Sequence, residues 1–170
     1  MTVLIVPGLG GSGPDHWQSW WQREEPDAVR VEQDDWDAPE LARWAERVGA
    51  ALERAASPVW LVAHSFGCLA SVYAGIQRPE RVAGALLVAP ADPARFGLEA
   101  ALPATPLPFP SVLVASANDD WMTFDRAAHW AGCWGSRLVN LGQAGHINTE
   151  SGHGPWPEGR AFLEKLRAVS

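Results

Sequence analysis

The stretch Val59-Trp-Leu-Val-Ala-His-Ser-Phe-Gly-Cys-Leu-Ala70 constrains this chain more than any other. A continuous apolar run leads into a small-x-Ser-x-Gly turn, and an apolar helical pattern follows. This is the context of a nucleophile elbow, in which a serine sits on a sharp strand-to-helix turn with its hydroxyl exposed. Small residues at both ends of the turn let strand and helix backbones approach closely; Ala63 fills the first position, where glycine is usual. The elbow fixes a parallel strand–helix unit and makes Ser65 a candidate nucleophile. The plainer reading of Ser65 is a cap for the helix that follows.

A serine hydroxyl needs a base to take its proton, and the base needs an acid to orient it. Downstream of the elbow, Ser111-Val-Leu-Val-Ala-Ser-Ala-Asn-Asp119-Asp120 is a β-branched run ending in acids. Arg137-Leu-Val-Asn-Leu-Gly-Gln-Ala-Gly-His146 is another, ending in a glycine-containing loop with a histidine. Serine, acid and histidine thus fall at the carboxyl ends of successive strands, the edge where sites lie in open parallel sheets. His129, inside a tryptophan-rich helical pattern, and His153, beyond the loop, are less well placed. His64 precedes the nucleophile, so its side chain is expected to point away from Ser65, as structure or pocket wall.

Apolar runs alternate with helical patterns along the whole chain, which argues for an α/β domain with a mostly parallel sheet of about six strands. Strands are expected over 3–6, 29–32, 59–63, 84–89, 111–115 and 137–141, and helices over 15–23, 39–56, 67–77, 124–134 and 156–169. Leu41, Trp44, Ala45, Val48 and Leu52 form an apolar stripe at helical spacing, and Asp37 with Pro39 and Glu40 is the expected start signal for that helix. The 170 residues, 47% of them hydrophobic, suit a single domain over 1–170.

A net charge of −7 and a single lysine, Lys165, leave no basic stripe for nucleic acid. No run is long enough to span a membrane, and the first residues read as a core strand, which leads to the expectation of a cytoplasmic protein. The two cysteines, Cys68 and Cys133, make no disulfide framework. The acids Asp34, Asp35 and Asp37 are expected to solvate a loop and cap a helix rather than bind calcium, and no Cys/His set has zinc spacing, so neither metal nor cofactor is expected.

The acyl oxyanion formed by serine attack needs preorganised donors. One is expected from the backbone N–H of Phe66, immediately after the serine. The other should come from Pro7-Gly-Leu-Gly-Gly-Ser-Gly13, after the first strand, with Leu9 preferred over Gly10. This loop lacks the lysine and spacing of phosphate-binding loops. Gly10, His16, Trp17, Trp121 and Trp156 are candidates for the pocket, with Trp121 or Trp156 walling an apolar acyl site; His16 is also a candidate cap with Asp15. Of the ten tryptophans, Trp20, Trp21, Trp44, Trp60, Trp130 and Trp134 are expected in the core or in helix–sheet packing.

Taken together, Val6-Pro-Gly-Leu-Gly-Gly-Ser-Gly-Pro-Asp-His-Trp-Gln-Ser-Trp20, Ala63-His-Ser-Phe-Gly67, Ala144-Gly-His-Ile-Asn148 and Ser151-Gly-His-Gly-Pro-Trp-Pro157 resemble the small cap-less α/β hydrolases, specifically the bacterial branch of the retinoblastoma-binding-protein-type serine hydrolase family. The resemblance runs over nearly the whole chain. It implies an α/β hydrolase fold, three-layered and without a large cap domain, since 91–110 has room for only a short irregular segment. It implies an esterase-like activity on a small-molecule ester with a Ser–Asp–His triad, thioester or amide cleavage being the alternatives, and it puts the acid at Asp119. The family often has proline after that acid, where this chain has Asp120, so Asp120 stays the alternative to the preferred Asp119. Animal members are tied to a pocket-protein partner, but no Leu-x-Cys-x-Glu sequence occurs here, so that partner is not carried over. A protein-binding module that keeps the scaffold is the rival from another class. The oligomeric state is left open.

Overall fold

The computed structural model describes residues 1–169. Six parallel strands form one sheet in the order β2-β1-β3-β4-β5-β6: β1 Val3–Val6, β2 Ala28–Arg30, β3 Val59–His64, β4 Val82–Val88, β5 Ser111–Ala115 and β6 Arg137–Asn140. Helices α1 (Trp17–Glu24) and α5 (Pro157–Ala168) cover one face; α2 (Leu41–Arg54), α3 (Phe66–Gly75) and α4 (Phe124–Trp134) cover the other. The two faces explain the sequence pattern of the strands. Leu4 and Val6 enter one core and Val3 and Ile5 the other, so β1 is apolar throughout.

The chain runs outward from β1 to β2, then returns past β1 to β3 and continues the other way. The order reverses between β1 and β3, which places the loops after those two strands side by side at the carboxyl edge, the usual site in such sheets. Gly8 and Gly67 make that closeness possible. A Cβ on Gly67 would stand 2.4 Å from the Val6 carbonyl oxygen and 2.5 Å from that of Pro7. A Cβ on Gly8 would stand 2.8 Å from Ser65 Cβ.

Several element boundaries differ from expectation for local reasons. Helix α1 begins at Trp17 because His16 is its cap, with Nδ1 accepting from Gln18 N–H at 3.2 Å. Helix α2 begins at Leu41; Asp37 does not start it, because Asp37 N–H is held by the Asp35 carboxylate in a turn, and Glu40 takes the cap position without a side-chain bond. Strand β4 stops at Val88, since Ala89 turns to φ 44°. Strand β2 is only Ala28–Arg30, and the Trp156 backbone at φ 42° delays α5 to Pro157.

The α2 stripe is buried as the periodicity requires, and Trp44 meets the Phe66 ring edge-on at 5.1 Å. The segment after β4 is short. It makes two 3₁₀ turns, Pro93–Phe96 and Glu99–Ala101, and is fastened to α4. Arg126 donates to both Asp92 carboxylate oxygens at 2.9 and 3.0 Å and to Glu99 at 2.8 Å, while Trp134 Nε1 donates to the Pro103 carbonyl. No large cap domain stands over the sheet edge among the described residues. None of the helices described is long and apolar enough to cross a membrane.

Candidate active site

Ser65 lies between β3 and α3 with φ 55° and ψ −125°, a conformation a side-chain-bearing residue adopts only under constraint. The constraint is local. Its N–H donates to the Val88 carbonyl at 3.1 Å, and the glycines at 8 and 67 allow β1 and α3 to close in on it. Ser65 makes no side-chain cap bond to α3, so the plain capping role is excluded.

The hydroxyl is committed elsewhere. Ser65 Oγ lies 2.9 Å from His146 Nε2, and His146 Nδ1 lies 2.9 and 3.0 Å from the two oxygens of Asp119. With the Nδ1 proton directed at the carboxylate, Nε2 presents its lone pair to the serine hydroxyl. The Asp119 side chain is only 3% exposed and also accepts from Trp121 N–H at 2.9 Å, whereas Asp120 is exposed. His129 lies exposed on α4, and His153 accepts from or donates to Ser151 Oγ, away from Ser65.

The loops carrying acid and histidine are tied together by residues that sequence reading passed over. Asn118 Oδ1 accepts from Gly145 N–H at 2.8 Å and from Ser116 Oγ. Ser116 Oγ also accepts from Ala144 N–H, and its one proton is shared between Asn118 Oδ1 and the Gly142 carbonyl at 3.2 Å.

On the opposite side, the loop after β1 passes close to the serine, the Gly8 Cβ position standing 2.8 Å from Ser65 Cβ. Gly10 N–H is spent on the Trp36 carbonyl at 3.0 Å, which removes it as a donor. Leu9 N–H and Phe66 N–H donate to no group among the described residues, and the Gly8 Cβ position is 3.4 Å from Phe66 N, so the two peptides are neighbours. Two free N–H groups beside a serine hydroxyl are suited to bind an oxyanion. Arg30 holds this loop from β2. Its guanidinium donates to the carbonyls of Gly11 at 2.7 Å and Ser12 at 3.2 Å, and to Ser19 Oγ and Gln22 Oε1. Gln18, fully buried, donates to the Val6 and Val62 carbonyls and accepts from Ser12 Oγ. An arginine in a strand and a glutamine between buried aromatic residues were the available signals that backbone carbonyls needed partners there.

Ser65 opens onto a cleft of about 330 Å³. Leu9, Gly10, His16 and Trp121 line it, as does His64. The lining is otherwise polar, with Ser12, Asn148, Thr149 and Glu150 on its walls. The cleft is thus mixed in character, with Leu9 and Trp121 as its large apolar residues. Trp121 is 37% exposed and lies 5.8 Å from the His146 ring. Trp17 and Trp156 belong elsewhere: they pack against each other at 5.2 Å and against Trp21, under α1 and α5. Tryptophan content signalled large apolar surfaces but not the direction in which each ring points.

Both other histidines at the cleft are neutral. Burial, reinforced by Arg30, His146 and His153, lowers His16 to about 3. Burial and the neighbouring imidazoles of His16 and His146 hold His64 well below the usual histidine range. No group of His, Cys, Asp or Glu among the described residues is arranged to hold a metal ion.

Comparison with known proteins bears on the fold and the family. Residues 3–165 match the family model described as serine hydrolase. A structure named as a YdeN-like hydrolase from Pectobacterium atrosepticum shares 43% identity, with 99% of this chain and 91% of that one covered and a TM-score of 0.95. The ydeN gene product of B. subtilis has 20% identity over 98% of both chains, with a TM-score of 0.82. The monoacylglycerol lipase of Paleococcus ferrophilus has 12% identity over 99% of this chain and 94% of its own, with a TM-score of 0.74; these last two likenesses concern the fold. Among curated proteins none matches. An α/β hydrolase sheet with Ser65 on a strained elbow at its switch point, together with a family match that spans nearly all the chain, makes this protein a member of the serine hydrolase family.

Proposed function

We propose that this chain, acting as a single domain, cleaves carboxylic esters of small molecules through an acyl-enzyme. Ser65 Oγ attacks the ester carbonyl while His146 Nε2 takes its proton. The oxyanion is received by the N–H groups of Leu9 and Phe66. His146 then protonates the departing alcohol and activates the water that hydrolyses the acyl-serine, and Asp119 keeps the imidazole in the required tautomer throughout. The chemistry is complete with these residues and calls on no cofactor.

The observation that carries this reading is the unbroken relay Asp119–His146–Ser65, each link at 2.9 Å, ending on a hydroxyl held in strained geometry. A protein that used the scaffold only for binding would have no use for that strain. The motifs that resemble the retinoblastoma-binding-protein-type branch include those that carry Ser65, His146 and the oxyanion loop, which favours placing the chain in that branch.

A fluorophosphonate probe followed by peptide mass spectrometry tests the proposal. Labelling is expected at Ser65 in the wild type and absent in Ser65→Ala and His146→Ala. Folded wild-type protein that takes no label would overturn it. A matched panel of ester, thioester and amide substrates then identifies the bond, with esters expected to turn over fastest.

A further inference from the structure

His16 and His64 are both about 5% exposed, and the reaction proposed above gives neither a task. The partners of each ring fix its tautomer. The Gln18 N–H can only donate, so His16 Nδ1 accepts and the proton of the neutral ring sits on Nε2. The His146 carbonyl can only accept, at 2.9 Å, so His64 carries its proton on Nε2 and leaves Nδ1 as a bare acceptor. His16 Nε2 is buried and donates to nothing. The two rings stand edge to face, with centroids 4.7 Å apart at 65°. A donor without an acceptor therefore adjoins a ring with an acceptor to spare. The His64 ring in turn lies 4.8 Å from the ring of His146.

We propose that His16 and His64 are positioning residues, a neutral imidazole brace running from the cap of α1 to the backbone carbonyl of His146, which keeps the His146 ring in register with Ser65. The proposal rests on the serine hydrolase reading. Shape alone does not account for the arrangement: phenylalanine would fill similar space, but at 16 it would leave the Gln18 N–H without its acceptor and at 64 the His146 carbonyl without its donor, which is costly in a dry interior. The brace joins the oxyanion side of the site to the histidine loop. It also puts no cation next to His146, where a second charge would oppose formation of the imidazolium.

Chemically matched substitutions separate a brace from packing. The amide nitrogen of His64→Gln can replace Nε2–H, while His64→Leu cannot. His16→Asn keeps an oxygen to accept from Gln18 N–H and deletes the Nε2–H arm. The readouts are kcat and KM on p-nitrophenyl acetate and the rate of fluorophosphonate labelling. His64→Leu is expected to lower kcat and labelling by about 10- to 100-fold, as mispositioned catalytic groups do, with KM nearly unchanged. His64→Gln should recover most of that loss. His16→Asn should cost about threefold alone and nothing further on top of His64→Leu, because residues acting through one another are not additive. Additive losses, a loss confined to KM, or glutamine no better than leucine would overturn the brace.

Long-range ¹H–¹⁵N spectra of the wild type judge it without turnover. Both rings should be neutral and protonated on Nε2 at pH 7, and either ring found protonated on Nδ1 refutes the proposal. If the wild type shows no labelling at Ser65, the hydrolase reading fails, while the tautomers still decide whether the brace exists.

Discussion

Replacing Gly67 with alanine tests whether the site depends on the approach of two backbones. The added Cβ would lie 2.4 Å from the Val6 carbonyl oxygen and 2.5 Å from that of Pro7, where ordinary contact begins near 3.4 Å. Both obstacles are main chain, so no side chain can rotate away, and β1 or α3 must move by about 1 Å. Overpacking of this kind costs about 1–3 kcal/mol, or about 2–12 °C in Tm for a chain of this size. The activity should suffer more. The displaced segment leads into Leu9, and removing one oxyanion donor costs about 100- to 1000-fold in kcat. A thermal melt and kcat on p-nitrophenyl acetate measure the two effects on one preparation. Gly132→Ala is the control: it lies in α4 with nothing within 4 Å of its Cβ position, so it should keep full activity and gain about 1 kcal/mol from helix propensity. A Gly67→Ala protein that melts lower yet retains wild-type kcat would refute the argument that the β1–α3 approach sets the oxyanion geometry.

Asp119→Asn should lower kcat about 10⁴-fold by losing the carboxylate that fixes the His146 tautomer, whereas Asp120→Asn should change it less than about threefold; equal effects would mean the acid is misassigned. Arg30→Lys keeps the charge but cannot span the Gly11 and Ser12 carbonyls together with Ser19 and Gln22, and is expected to reduce kcat about tenfold with the sheet intact by circular dichroism. His16 and His64 both have folded-state pKa values below the ordinary 6.5, so below pH 6.5 the unfolded chain binds more protons and stability falls with pH. Each ring contributes a slope approaching about 1.4 kcal/mol per pH unit. Urea midpoints between pH 6.5 and 5 should therefore fall steeply, and less steeply by one proton in His16→Asn; an unchanged slope would mean His16 titrates normally in the folded state.

The strands were legible because both their faces are buried, so β1, β3 up to Ala63 and β5 after Ser111 appear as uninterrupted apolar runs. The elbow and its partners were legible for a related reason: strand ends and special turns leave small residues and isolated polar ones at predictable places. What the sequence carried poorly was direction. Trp17 sits beside His16 in the chain, yet His16 lines the cleft while Trp17 turns into the core beneath it. Trp156 follows the histidine loop, but its left-handed backbone swings the ring onto Trp21. Pocket polarity was hidden in the same way, because Ser12, Asn148, Thr149 and Glu150 come from two loops that meet only after the sheet forms. Gly10 was a plausible oxyanion donor until the fold brought the Trp36 carbonyl to its N–H.

These losses share a cause that bears on how the site works. Ser65, Asp119 and His146 lie in the segments that follow β3, β5 and β6, and the two free amides lie where strand order reverses between β1 and β3, all features of the backbone frame. In the mechanism proposed above, that frame fixes the carbonyl chemistry without reference to any substrate. Selectivity then falls to the cleft walls, where Trp121, Asn148, Thr149 and Glu150 are loop residues with no strand to fix them. Substitutions on these walls are accordingly expected to redistribute kcat/KM among esters while leaving the rate of Ser65 labelling by a small fluorophosphonate within about threefold, since differential binding of the substrate, not activation of the serine, is what they alter. Parallel loss of labelling in Asn148→Ala and Thr149→Ala would place those side chains in the machinery that activates Ser65 and would contradict this division.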